Sequence, residues 1–431
     1  MFRTISNIFR VGDLRRKVIF TLLMLIIFRI GSFIPIPGSN SEVLTFFDEA
    51  NAFGFLNTFG GGALGNFSIF AMGIMPYITA SIVVQLLQMD VVPKFTEWAK
   101  QGEAGRRKLA QVTRYGTIVI GFVQALGMSI GFNSLAPGLI QNPGIMTYVF
   151  IAVVLTAGTA FLMWLGEQIT ANGVGNGISI IIFAGIAAGI PNGLNQLYTS
   201  QIEGAGDGLF LSIITLLVLA IAVLLIIVGV IYIQQALRKV PVQYAKRQVN
   251  NRATTGGQST HLPLKVNASG VIPVIFASAL FYFPGTIAGF FGADNGIART
   301  VVDIFTPSNP YGAIIFVVLI IAFTYFYTFI QVNPEKMAEN LKKQGGYIPG
   351  IRPGKTTQSY LTRILYRLTF VGSLFLAAVA IIPVIFIQIM NLPEAIQIGG
   401  TGLLIVVGVA LDTMKQIEGQ LIKRSYRGFI K

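Results

Sequence analysis

The amino-acid sequence predicts an all-α integral membrane protein of ten transmembrane helices, arranged as two inverted halves of five. Three observations carry that prediction: an apolar composition, a one-sided distribution of basic residues, and a nonapeptide repeated half a chain apart. Of 431 residues, 53% are hydrophobic and only 11% are charged, and the mean hydropathy is +0.70. A soluble chain of this length has no interior large enough for so much apolar surface, so lipid is its main solvent. Cysteine is absent, which excludes disulfides and thiolate metal sites. The single histidine, His261, lies in a polar stretch and reads as a surface residue.

Apolar runs able to cross about 30 Å of hydrocarbon fall near 18–36, 74–90, 112–132, 147–166, 174–190, 209–233, 269–289, 311–331, 368–389 and 396–412. The first begins like a secretory signal. Its apolar run is too long, however, and no small-residue cleavage site precedes the IPIPG at 34–38, so it is expected to remain as a span. Several runs are interrupted by glycine or proline, which lipid tolerates only where protein or a cavity satisfies the freed backbone.

Alternate connections carry the basic residues. With a cytoplasmic N-terminus, the stretches 1–17, 91–114, 234–268, 332–367 and 413–431 hold 29 of the 31 lysines and arginines. Positive charge is retained on the cytoplasmic side, so both termini are expected there. Arg29, inside the first span, and Arg299, in an outside loop, are the remaining two. Part of the formal charge of +14 faces anionic lipid, at about 1 kcal/mol per residue near the surface. Lipid explains 234–268 and 332–367 poorly. Loops of that length are usually functional, and these mix charge with YAKRQ, STHLPLK and GGYIPGIRPGK. They suit an acidic protein or ribosomal RNA, with Lys246, Arg247, Arg252, Arg352 and Lys355 as candidate contacts.

The repeat is GIMPYITAS at 73–81 against GVIPVIFAS at 270–278, identical at five of nine positions and offset by 197 residues. In the charge-derived topology the first copy leads inward from outside and the second leads outward. Five spans per half force this inversion. The expected halves are 1–200, with spans 1–5, and 201–431, with spans 6–10 and both long basic loops. Inverted halves place a working site at their seam, near the bilayer midplane.

Coupled transporters and proton pumps need ionisable groups within the membrane. Spans 2 to 10 have none at mid-depth, since Asp90, Glu167 and Asp412 fall at cytoplasmic ends. Arg29 is the exception, and a packed structural partner explains it at least as well as transport. No G-x-x-x-x-G-K-[ST], HExxH, paired intramembrane aspartates or Ser/His arrangement is present, so neither an ATPase nor an intramembrane protease is expected, and no cofactor. GVGNG at 173–177 mimics part of a dinucleotide loop but opens a membrane span with no strand before it. What remains is a passage or a scaffold. A small-solute or ion transporter is the alternative class, and the lack of intramembrane charge argues against it.

GGGALGNFSIFAMG at 60–73 separates passage from scaffold. It begins outside, is too short and glycine-rich to span, and runs directly into the second span. Such backbone persists at membrane depth only inside protein or a water-filled funnel. Residues 58–71 are therefore expected to form a short half-helix folded back into a cavity as a stopper. Its centre is Gly60, Gly61, Gly62, Ala63, Leu64, Gly65, Asn66, Phe67, Ser68 and Ile69.

FRIGSFIPIPG, the glycine-rich segment with GIMPYITASIVVQLL, GEAGRRKLAQVTRYGT, FLMWLGEQITANGVGNGISIIIFAGI, QSTHLPLKVNASGVIPVIFAS, NLKKQGGYIPGIRPGKTT and GGTGLLIVVGVALDTMKQ occur in order from residue 28 to 416. Together they resemble the SecY family, channel subunits of the bacterial protein translocon. The resemblance implies an hourglass channel with a central pore and plug. It opens across the plasma membrane for unfolded secretory chains and sideways, between spans 2, 3, 7 and 8, for apolar segments. It implies SecE and SecG as companion subunits and the SecA motor ATPase or a translating ribosome as driver. By motif position the pore ring falls on Ile74, Ile78, Ile178, Ile182, Ile275 and Ile405. A narrow apolar collar expels water yet offers a passing chain no polar grip, and isoleucine is stiff at χ1. Composition alone would make these core or lipid-facing residues. The repeat, which sets Ile78 and Ile275 at equivalent places, and the resemblance favour the ring. Three mid-span amides, Gln85, Gln124 and Asn176, leave two readings open. They are helix–helix glue, at roughly 0.6 kcal/mol per bond, or a polar seam that sets the stringency of the lateral gate.

Overall fold

The computed structural model describes residues 11–40, 57–89, 91–203, 209–244, 247–250, 253–255, 259–290, 296–390 and 397–427. The N-terminal half contributes α1 (Gly12–Gly31), α2 (Met75–Leu87), the short α3 (Pro93–Lys100), α4 (Glu103–Leu135), α5 (Ile145–Asn172) and α6 (Gly177–Tyr198). After α7 (Leu209–Gln235) come strands β1 (Leu237–Tyr244), β2 (Arg247–Asn250), β3 (Ala253–Thr255) and β4 (Ser259–Lys265). The chain continues through α8 (Ile272–Phe290), α9 (Gly296–Ile304), α10 (Pro310–Gln331), α11 (Pro334–Lys343), β5 (Gly346–Tyr347), α12 (Lys355–Met390) and α13 (Gln397–Arg427).

Every expected span has its helix: α1, α2, α4, α5, α6, α7, α8, α10, α12 and α13. Six of these segments are long and apolar enough to cross a membrane outright, and α2 and α8 are shorter apolar helices. The ends differ from the hydropathy limits for a physical reason. α4, α12 and α13 continue as helix into their basic flanks, because helical hydrogen bonding does not stop where lipid does. α1 ends earlier, at Gly31, because Pro35 and Pro37 hold the chain extended just beyond.

The halves meet along two seams: α8 lies against α2 and α4, and α13 lies against α6. Leu14, Val174 and Ile417 share one small buried cluster, so the start of α1 and the last turns of α13 lie on one side of the molecule. The Lys415 ammonium donates to the Gln234 carbonyl at 3.1 Å, which brings the end of α7 to that side too. α7 is packed least. Its apolar window has a mean hydropathy of 3.4 with 6% of its residues buried, as expected of a helix turned to lipid.

The all-α expectation needs one addition. The two long basic loops fold together as a single unit. β1 pairs antiparallel with β4 (Val240 opposite Leu262) and with β5 (Gln243 opposite Tyr347). Val240, Val242 and Leu264 form a separate small core with Ala338 and Leu341 of α11 and with Ile348, Leu361 and Ile364. The alternation that makes β1 a strand covers only VPV, and the surrounding charge hides it. His261 faces Pro241 in this sheet and is exposed.

Candidate pore constriction and plug

The two copies of the repeat fold alike. Gly73 and Gly270 both take positive φ, +55° and +66°, a conformation that glycine adopts without steric cost. Each is followed by a helix whose second residue is proline, placed in the first turn where a missing N–H costs nothing. In the first copy Ile78 N–H donates to the Ile74 carbonyl at 3.1 Å, and in the second Ile275 N–H donates to the Val271 carbonyl at 3.3 Å. These two bonds occupy the same places in the repeat. The left-handed glycine and the proline together aim each first helical turn inward.

Ile74, Ile78, Ile182, Ile275 and Ile405 are each no more than 4% exposed and belong to one buried apolar cluster. That cluster draws on both halves, from Phe28 of α1 to Phe316 of α10 and Val409 of α13, and takes in Phe59, Ala63 and Phe70 of the glycine-rich segment. Ile178 differs. It is half-buried at the margin of the cluster, with its Cγ1 3.0 Å from where a Cβ on Gly166 of α5 would stand.

The glycine-rich segment folds back beside the cluster, but not as the half-helix expected over 58–71. Helix is described only at 57–59, and turns follow up to α2. Gly61, Gly62 and Phe67 all have positive φ, and residues in that region cannot propagate a right-handed helix. Phe67 at φ 42° carries strain of about 1–3 kcal/mol, offset by full burial and an edge-on contact with Phe132 at 6.2 Å.

The backbone at this depth is satisfied by protein. Gly62 N–H donates to the Asn57 carbonyl at 2.8 Å, and Ser68 N–H to that of Ala63 at 2.9 Å. Asn57 Oδ1 accepts from Gly65 N–H at 2.8 Å. The chain after α1 completes the seat: Ile36 N–H donates to the Phe67 carbonyl and Ile69 N–H to that of Ile34, at 3.1 and 3.0 Å. Three glycines open the space. A Cβ on Gly158 of α5 would overlap the Ile69 carbonyl, and one on Gly31 of α1 would overlap the Phe70 ring. One on Gly185 of α6 would lie 2.7 Å from the Phe59 carbonyl oxygen.

Arg29 has its partner here. Its guanidinium donates to the Gly61 carbonyl and lies 4.6 Å from the centre of the Phe33 ring. This arginine is therefore a fastener for the re-entrant segment. Arg29→Leu keeps the stem but leaves that carbonyl without its charged donor, a loss of about 1–3 kcal/mol. A single cysteine replacing Gly62 in the Arg29→Leu variant is expected to react with a water-soluble maleimide at least about fivefold faster than the same cysteine in the parent. Equal rates would remove Arg29 from this role.

Of the three amides, Gln85 and Gln124 are half-buried on α2 and α4. Gln85 Nε2 donates to Ser81 Oγ at 3.0 Å, while its buried Oε1 has no partner in the described structure. Asn176 is not mid-span. It precedes α6 and is exposed, with Oδ1 accepting from the N–H groups of Ile178 and Ser179 at 3.1 and 3.4 Å, which makes it a helix cap. Hydropathy placed it in a span because GVGNG lies between two apolar helices. The turn has a packing reason instead: a Cβ on Gly177 would overlap the Gly166 carbonyl.

On the basic face, Arg352 and Lys355 are exposed. Arg352 stands between Pro349 and Pro353, and its carbonyl accepts from Thr357 Oγ1 at 2.9 Å, which anchors the loop to the first turn of α12. Arg247 begins β2. Lys246 and Arg252 lie outside the described residues. Sequence reasoning allowed Arg29 a packed structural partner, from the signal of a lone arginine within an apolar run, without identifying the Gly61 carbonyl. It missed the glycine seat and the joint folding of the two loops.

These features define a class: a polytopic membrane protein of two inverted halves, with a re-entrant segment packed into a buried apolar cluster between them. The SecY family profile matches residues 68–414, and the chain belongs to the SecY family. Protein translocase subunit SecY of Halalkalibacterium halodurans is 78% identical over 431 residues, covering 100% of each chain. The subunit of the same name from Bacillus subtilis is 66% identical over 432 residues, again covering 100% of each. Among solved structures, a protein-conducting channel superposes with a TM-score of 0.65 at 19% identity, over 97% of this chain and 95% of that one. Sec61 in the canine ribosome–channel complex gives 0.60 at 18% identity, over 97% and 95%.

Proposed function

We infer that this chain is the protein-conducting subunit of a translocase. It passes unfolded secretory polypeptides across the membrane and releases transmembrane segments sideways into lipid, driven by an external partner. It is a channel and not an enzyme. The single observation that carries the reading is the buried cluster in which five candidate ring isoleucines from both halves meet the glycine-rich segment. Such a cluster is a closed gate. It is dry, so ions do not cross, and it consists of separable side chains, so a polypeptide can part them without meeting hydrogen-bond groups that would hold it.

The seam of α2 and α4 against α8 is the lateral exit, with Gln85 and Gln124 on its N-terminal side. The halves 1–200 and 201–431 move apart there. The basic residues and both termini face the cytoplasm of a bacterium, and the membrane is its plasma membrane. The folded loop unit receives the driver, a SecA motor or a ribosome. Sec61, which shares this fold, was determined in a ribosome–channel complex, which favours a ribosome as one partner. SecE and SecG complete the assembly, and anionic lipid meets the basic rim.

Arg352 carries the coupling to the driver. Two prolines fix its loop, and a guanidinium forms bidentate contacts with carboxylate or phosphate that lysine does not reproduce. The test is protease protection of an unfolded secretory substrate in vesicles holding the chain with SecE, SecG and SecA. The wild type is expected to protect it. Arg352→Glu is expected to abolish protection while remaining inserted and assembled. A wild-type chain that protects nothing would overturn the channel reading, and normal export by Arg352→Glu would overturn the loop assignment alone.

A further inference from the structure

We propose that Asp412 is a positioning residue for the collar. It holds the turn between the loop unit and α8 against α13, so that a displacement of the loop unit reaches Ile275. The inference rests on the channel reading above and adds the link from driver to gate. Lys265 ends β4, and Ile275 stands in the first turn of α8. The turn between them is closed on itself. Asn267 Nδ2 donates to the Gly270 carbonyl at 2.9 Å and Ser269 Oγ to Asn267 Oδ1 at 3.0 Å, and both residues are buried. Val266 N–H donates to the Ala236 carbonyl at 3.0 Å, just past the end of α7. A Cβ on Gly372 of α12 would lie 3.0 Å from the Val266 carbonyl oxygen. A turn bonded and hemmed in this way passes a push along instead of absorbing it.

One face of α13 grips this turn. Ile405, Gly408, Asp412 and Lys415 follow one another at helical spacing and so share that face. Ile405 belongs to the collar cluster. A Cβ on Gly408 would overlap the Val271 side chain, and one on Gly270 would lie 3.4 Å from Asp412 Oδ2. Lys415 reaches the Gln234 carbonyl at the end of α7. The face therefore meets the collar, the start of α8 and the end of α7 in order. Asp412 is the only acid between Ile405 and Lys415 and is half-buried. Its carboxylate stands beside the start of α8, where the first N–H groups lack helical partners and the dipole favours negative charge. Lys265 of the loop unit and Lys415 of α13 are the cations whose charge acts on it. Those two lysines also act on each other. Removing the Asp412 charge leaves that repulsion offset by Glu418 alone, at Lys415, and drives the loop unit off α13.

The experiment measures the export rate against SecA concentration in vesicles holding the chain with SecE and SecG. Asp412→Asn is expected to lower the maximal rate at least about fivefold while the half-saturating SecA concentration stays at its wild-type value. Asp412→Glu keeps the charge and is expected to keep most of the rate. Ile78→Ser with Ile275→Ser loosens the gate itself. Added to Asp412→Asn, this pair is expected to restore export, because a gate that opens easily needs less push. Normal export by Asp412→Asn, or an equal loss in Asp412→Glu, would overturn the proposal. A raised half-saturating concentration at an unchanged maximal rate would overturn it too, by making Asp412 part of the docking surface. Failure of the collar pair to restore export would also overturn it, since Asp412 would then only support the fold. A wild-type chain that exports nothing would overturn the channel reading and this link with it, whereas the other failures strike the link alone.

Discussion

Ile78→Ser combined with Ile275→Ser is expected to raise ion leak through the resting channel at least about tenfold, equivalent to about 1.4 kcal/mol taken from the closed state. The two side chains are 3% and 4% exposed and occupy matching places in the two halves. Truncating a buried isoleucine ordinarily costs about 2–5 kcal/mol, so the pair has ample energy to produce this shift. The hydroxyls also hold water where the collar had excluded it. Stringency toward signal sequences is expected to loosen with the leak, since a less stable closed state needs a weaker signal to open. Ile221→Ser is the control. That residue is 49% exposed on α7, and serine there only weakens insertion slightly. If the double variant and the control give the same potential-driven flux in vesicles, the buried isoleucines are ordinary core residues.

Unseating the plug is expected to have an effect of similar size. Deleting residues 60–69 removes the segment and should give conducting or flickering channels in planar bilayers. Gly158→Leu should do the same without altering the segment at all, because its side chain would take the position of the Ile69 carbonyl. The comparison matters because a deletion also relaxes the chain between α1 and α2. A silent Gly158→Leu channel alongside a conducting deletion would mean that strain in the chain, and not loss of the stopper, opens the pore. Silence from both would remove the plug from gating.

The span count and the inversion were legible in the sequence because each rests on a signal that folding preserves. Hydropathy follows lipid contact, and the meeting of Leu14 with Ile417 puts the basic start of α1 and the basic end of α13 on one side of the molecule. The repeat was readable at the level of residues: Gly73 and Gly270 match in letter and in backbone angle. That the glycine-rich segment folds back was also legible, but its conformation was not. Helix propensity gives no account of three positive-φ residues, of which Gly61 meets Arg29 of α1 and Phe67 packs on Phe132 of α4. Asn176 was misplaced because a capping turn between two buried helices has the hydropathy of a span. The loop sheet was missed because β1 and β5 are separated by about a hundred residues and neither alternates long enough to announce a strand.

The central claim is that a polypeptide passes through the cluster containing Ile78, Ile182 and Ile275, and the absence of native cysteine makes its test direct. Single cysteines are placed at those three positions and at Ile221. A secretory chain carrying one cysteine in its mature region is stalled in transit by a folded domain at its end, and disulfide formation is scored. The account predicts crosslinks at 78, 182 and 275 that require the stalled state, and none at 221. Crosslinks absent at all three ring positions, or equally strong at 221, would place the path of the chain elsewhere.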